Sequence, residues 1–119
     1  MKTAANGFTV DSHFKSKDAS VRQVYDRILK ATKLCGPVGE EPKKTSIHLM
    51  NQTAFAGVAT RKSALILTIK SDRKLSSPRI HKSEQTSANR FHHEVKLTSP
   101  PEVDAELVQW LKDAYALSA

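Results

Sequence analysis

Apolar positions recur along this chain with two different periods. Val21, Val24, Tyr25, Ile28 and Leu29 fall at helical spacing and make one apolar stripe, which predicts a helix over 20–34. Ser20 with Gln23 three residues on has the form of a capping box, and Lys30 and Lys33 sit in the last turns, where the helix dipole favours cations. Gly36 and Pro37 supply the stop, Gly36 as a left-handed cap and Pro37 as the breaker.

The period then shortens to two. Residues 45–49, 55–60 and 63–71 read as strands, the last with Leu65, Leu67 and Ile69 on one face and Ile66, Thr68 and Lys70 on the other. Asn51-Gln52 and Arg61-Lys62 are short enough for hairpin turns, so antiparallel pairing is expected. Residues 71–77 and 83–89 are polar and read as loops around at most a short strand at 79–81. Phe91, His93, Val95 and Leu97 alternate with Arg90, His92, Glu94 and Lys96 in a last strand. A second helix is expected from about 99–102, with Ser99 as cap, Pro100 in the first turn and Glu102 completing a capping box. Its stripe is Val103, Leu107, Trp110, Leu111, Ala114 and Tyr115, with Trp110 as a core anchor. Residues 1–7 read as a flexible tail, and Asp11 as the cap of one helical turn holding His13 and Phe14.

Two helices flanking a meander give a two-layer α+β domain over residues 8–119. The expected sheet has four to five antiparallel strands, with the N-terminal and C-terminal helices packed on one face. Ile47, Leu49, Phe55, Leu65, Leu67, Ile69, Phe91, Val95 and Leu97 are assigned to that inner face. The outer face then carries His48, Thr68, Lys70, Arg90, His92, Glu94 and Lys96. The same alternation sends Ala54, Ala56, Val58, Ala64 and Ile66 outward, as an apolar patch fit for a homodimer, a protein partner or a small ligand.

Composition narrows the function classes. The chain has 119 residues, 39% of them hydrophobic and 26% charged, which fits one globular domain. The longest apolar runs are too short to cross a bilayer, and the N-terminus lacks the apolar core of a signal peptide. A single cysteine excludes an internal disulfide and a four-cysteine zinc site, so a reducing cytoplasm is the expected compartment. Charge is the more informative property. The net of +7 is uneven: between Lys43 and Lys96 eleven basic residues stand against three acidic ones, a balance of +8. Residues 97–119 carry −3. A basic middle of this kind points to an anionic partner.

Catalytic patterns find little support. Glu94-Val95-Lys96 is the one string with a metal-nuclease form, in which carboxylates hold the ion and a lysine steadies the attacking hydroxide. Asp72 is the candidate for the Asp of such a set, but it falls in a loop beside Arg73 and Lys74, and no helical glutamate completes the set. His92 and His93 are adjacent on a strand and point to opposite faces, so they do not chelate one ion; His93 reads as a hydrogen-bonded inner-face residue. Cys35 follows a helix C-terminus, where no dipole activates a thiolate, and reads as a packing residue. No nucleophile-elbow or dinucleotide-binding glycine pattern exists, and Pro42-Lys43-Lys44-Thr45-Ser46 lacks the glycine of a phosphate loop and leads into a strand. No catalytic residue, metal site or cofactor is expected.

Blocks of the chain resemble a bacterial family. They are His13-Phe14, Tyr25-Asp26-Arg27-Ile28-Leu29, Cys35-Gly36-Pro37-Val38, Lys44-Thr45-Ser46-Ile47-His48-Leu49, Phe55-Ala56-Gly57-Val58, Arg61-Lys62 and Leu65. The ending continues it with His92-His93, Leu97, Val103-Asp104, Leu107, Trp110-Leu111 and Ala114-Tyr115. In this order, from Phe8 to Leu117, they are similar to the domain of unknown function numbered 5655. The resemblance implies no activity, substrate or catalytic residue. Some members of that family carry the domain behind another segment, at times a cysteine-rich ribbon; here it is expected to stand alone.

The function expected from the residues is a non-catalytic module that binds nucleic acid or another polyanion through a basic sheet face. Lys44, Arg61, Lys62, Lys70, Arg90, His92 and Lys96 are its candidate binding residues. No Phe, Tyr or Trp is expected on that face, which argues for backbone contacts and little sequence readout. The alternative is a protein-interaction, dimerisation or small-ligand module, and a metal-dependent nuclease comes third. No membrane partner is expected.

Overall fold

The apolar stripe of the first helix and the inner residues of the strands meet in one core. In the computed structural model, which describes residues 8–119, the strands are β1 (Gly39–Pro42), β2 (Ile47–Met50), β3 (Ala54–Thr60), β4 (Leu65–Ser71), β5 (Ile80–Ser87) and β6 (Arg90–Leu97). They form one antiparallel-paired sheet in the order β1-β2-β3-β4-β6-β5. Helices α1 (Ala19–Lys33) and α2 (Ala105–Leu117) pack together and on one face of it. The fold is thus α+β as expected, with six strands rather than four to five. The expected tail, residues 1–7, lies outside the described residues.

Val21, Val24, Tyr25 and Ile28 of α1 are buried against Ile47, Leu49, Leu65, Leu67, Ile69, Val95 and Leu97 of the sheet. Leu107, Leu111 and Ala114 of α2 complete this core. Phe14 closes a 3-10 turn (Asp11–Phe14) and tilts against Tyr25, with ring centroids 5.0 Å apart. The helix starts depart from the expected caps. The N-cap of α1 is Asp18, whose N–H donates to the Lys62 carbonyl, and no Ser20–Gln23 box forms. Ser99 and Glu102 do form their capping box, but on a 3-10 turn (Pro100–Glu102). The chain then kinks at buried Val103, and α2 is capped afresh by Asp104, which accepts from the Leu107 N–H at 3.1 Å. That bond, with Arg79 second, holds the Asp104 carboxyl below the usual range.

The far end of α2 is held by the β2–β3 turn. The N–H groups of Gln52 and Thr53 donate to the Ser118 carbonyl, and Asn51 Nδ2 donates to the Tyr115 carbonyl at 3.0 Å. These bonds satisfy carbonyls that a helix end leaves without partners. Ser118 Oγ donates to the Ala54 carbonyl and accepts from Lys70 Nζ at 2.9 Å. Lys70 is thereby drawn to the end of the sheet where α2 terminates.

Gly36 has φ 147°, a backbone region that disfavours side chains, and a Cβ there would stand 2.5 Å from Tyr115 Oη. The Tyr115 hydroxyl donates to the Pro37 carbonyl at 2.8 Å, and its ring is held by Phe55. Gly36→Ala is therefore expected to destabilise the fold by about 1–3 kcal/mol in a urea melt. An unchanged midpoint would mean that this link relaxes freely.

Candidate functional site

Neither helix covers the second face of the sheet. Cross-strand register sets its rows: His48, Gly57, Thr68 and Glu94 lie across the middle, Lys70 pairs with His92 on one side, and Ile66 pairs with Lys96 on the other. The β2–β3 pairing has an irregularity between Leu49 and Met50, because Leu49 faces Ala56 while Met50 faces Ala54. Phe55 is the extra residue of this bulge, and both it and Ala56 are buried. The phase of β3 is reversed beyond that point. Ala56 and Val58 point into the core, and Gly57 and Ala59 take the outer face. The expected outward patch of Ala54, Ala56, Val58, Ala64 and Ile66 is therefore not assembled, since Ala64 is buried as well.

Over Gly57 the open face dips into a cavity of about 290 Å³. Its rim carries Ser46, His48, Thr68, Lys70 and His92, and Ala54, Gly57 and Ala59 line its floor. No carboxylate lines it. Burial first, and then the charge of Arg90, lower the pKa of the Lys70 ammonium below the usual lysine value. An anion beside Lys70 would act against both by favouring the charged ammonium.

The candidate binding residues fall into two groups. Lys70, Arg90 and His92 lie at the end of the sheet shared by the β2–β3 and β5–β6 turns. Lys96 lies toward the other end, roughly 13 Å away along the strand at ~3.3 Å per residue. Lys44 is there too, in the β1–β2 turn, with Arg61 and Lys62 in the β3–β4 turn. Among the described residues none of the seven joins an ion pair, whereas Arg22, Lys43, Arg73, Arg79, His81 and Lys82 all do. Sequence reading missed Ala59 and Gly57 as parts of this surface. The one available signal was a glycine inside a strand pattern.

The remaining chemistry-bearing residues lie elsewhere or are engaged. Glu94 accepts from His81 Nε2 at 3.2 Å and is approached by Lys82, and Asp72 pairs with Arg73 at 3.0 Å. Among the described residues no three metal-ligating side chains come together. His93 is buried on the inner face beneath the segment joining β4 to β5, as its hydrogen-bonded reading expected. Two expectations need correction. Cys35 is exposed, because α1 ends at Lys33 and the chain turns away; Leu34 beside it is 82% exposed. Trp110 is half-buried on the flank of α2, not at its centre. It lines a second cavity of about 430 Å³ with Lys70, Arg73, Asp72 and Asp113, a wall of mixed charge.

The family described as Domain of unknown function (DUF5655) matches residues 10–118, nearly the whole chain. No curated protein and no solved structure matches it.

Proposed function

Because the chain belongs to the DUF5655 family, which brings no reaction with it, we propose a function from the site alone. The protein is a non-catalytic module that binds nucleic acid or another polyanion through the open face of its sheet. One observation carries this reading: Lys44, Arg61, Lys62, Lys70, Arg90 and Lys96 have no carboxylate partner among the described residues and stand on or around a face that no helix covers. Cations left unpaired around an uncovered surface are what phosphate contact requires, because such contact needs charge at tolerant spacing and little else. Among the described residues the helical layer also holds cations without an ion pair, at Arg27, Lys30 and Lys33 of α1 and Lys112 of α2, but none of these lines the cavity of the open face, whereas Lys70 does. Arg22 is held by Asp11 and Asp26, and Arg79 by Asp104 and Glu106.

Binding should be weak, tolerant of sequence and strongly dependent on salt. On duplex DNA each phosphate contact contributes about −0.9 to the log–log salt slope. Replacing Lys70, Arg90 and Lys96 together by Gln is expected to flatten that slope by about two to three units. The control replaces Lys30 and Lys33, exposed on α1 in the opposite layer, and should leave it unchanged. Fluorescence anisotropy at low salt measures both. No binding at protein concentrations up to ~100 µM, or equal losses in the two variants, would remove the charged face from consideration.

A further inference from the structure

Gly57 has no structural need to be glycine. Its φ is not positive, since Gly36 holds the one positive-φ glycine position among the described residues. A Cβ at Gly57 would meet nothing within 4 Å. It stands in the middle of β3, between His48 of β2 and Thr68 of β4, where a residue lacking a side chain weakens a strand. What the missing side chain does provide is a flat floor for the cavity, extended by the small side chains of Ala54 and Ala59.

The rim adds chemistry to that shape. His48 and His92 bring imidazole rings, Thr68 a hydroxyl and Lys70 an ammonium. The nearest carboxylate in the same row, Glu94, is occupied by His81 and Lys82. A flat apolar floor bounded by two aromatic heterocycles suits a planar ring, and the lone ammonium suits an anion attached to it. No Phe, Tyr or Trp lies among the lining residues except Phe55, which is buried, so the histidines are the available stacking groups. A volume of about 290 Å³ is at the lower limit for small-ligand pockets and fits one such group, not a chain of them.

We propose that the cavity over Gly57 seats one unpaired nucleobase, with the adjoining phosphate on Lys70, so that the module prefers single-stranded to duplex nucleic acid. The inference rests on the reading of the outer face as a nucleic-acid surface. It goes beyond that reading because a duplex keeps its base faces stacked and offers only its backbone to Lys70, Arg90 and Lys96.

Anisotropy titrations of an oligo-thymidine of ~15 nucleotides, and of a duplex of equal length at the same salt, test it. The single strand should bind about tenfold more tightly, the effect of one stacked base. Gly57→Val places a strand-favouring side chain in open space, so its melting temperature should equal or exceed that of the wild type. The same variant should bring single-strand affinity down about tenfold, to the level of the duplex. If Gly57→Val does not fold, His48→Ala with His92→Ala should give the same loss. Equal affinity for the two nucleic acids in the wild type, or a preference that survives these variants, overturns the base seat. A salt-dependent duplex affinity would then still support the charged-face reading. Binding of neither nucleic acid overturns both.

Discussion

Phe55→Ala should destabilise the protein by about 3–5 kcal/mol, a large share of the roughly 5–15 kcal/mol that holds a domain of this size folded. The ring is fully buried, and its position is forced by the bulge that opposes Leu49 and Met50. It meets Tyr115 of α2 edge-on, with centroids 5.4 Å apart and an interplanar angle of 70°. Tyr115 in turn donates to the Pro37 carbonyl. One ring therefore joins the bulged strand, α2 and the link that follows α1. Truncation leaves a cavity where three elements meet, and none can close it without moving the others. Phe55→Leu keeps most of the volume and should cost less than about 1.5 kcal/mol. Urea melts of the two variants separate loss of volume from loss of the edge-on contact. A loss below about 0.5 kcal/mol for Phe55→Ala, typical of surface substitutions, would mean that the bulge is not anchored here.

The bulge also marks where pattern reading stopped working on the fold. Leu65, Leu67 and Ile69, and again Val95 and Leu97, announce their strands because one face of each is buried and the other is not. Ala56 and Val58 were assigned to the wrong face because the extra residue at Phe55 is set by pairing with Leu49 and Met50, and nothing local signals it. Strand β5 gives no alternating pattern because it is an edge strand exposed on both faces over its polar residues. Only its partner β6 and the turn at Ala88-Asn89 make it a strand. Trp110 was misplaced by about a quarter of a helical turn. Once α2 begins at Ala105, Leu107, Leu111, Ala114 and Ser118 take the buried side and Trp110 falls beside it.

The candidate site was legible in its charges and illegible in its shape. Lys70, His92 and Lys96 alternate outward as strand residues must, and the register keeps them on one face. The separation of His92 from Lys96 is already given by their spacing along β6, but that Lys70 stands with His92 and not with Lys96 follows from the antiparallel register of β4 and β6, which no single strand reveals. The cavity is less visible still. Its floor at Gly57 is empty because of what His48 and Thr68 leave open on the adjacent strands, so it belongs to three separate stretches of sequence.

His93→Ala should cost about 2–4 kcal/mol, combining a small cavity with orphaned polar partners. His93 is fully buried, although every β5 residue from His81 on that pairs beside it is exposed. The segment between β4 and β5 has to pass over β6 to reach its place in the sheet, and His93 is its point of attachment. Nδ1 lies 2.8 Å from Ser83 Oγ, while Nε2 lies 3.3 Å from the Leu75 nitrogen and 3.2 Å from the Arg73 carbonyl. With the proton on Nδ1 the ring donates to Ser83 and accepts from Leu75; with it on Nε2 the ring accepts from Ser83 and donates to Arg73. Either tautomer makes two bonds, one to β5 and one to the crossing segment. Arg79 fastens the far end of that segment through Asp104 at 2.7 Å and the Glu102 carbonyl. Removing the imidazole should therefore free the segment from one end only. Hydrogen exchange should accelerate at Leu75 and along β5 before it does so in β3 and β4, whose pairing does not depend on His93. His93→Gln, which keeps a donor and an acceptor, should recover part of the loss. If His93→Ala instead lowers protection evenly over the whole sheet, the crossing segment is held by packing and the imidazole is not its anchor.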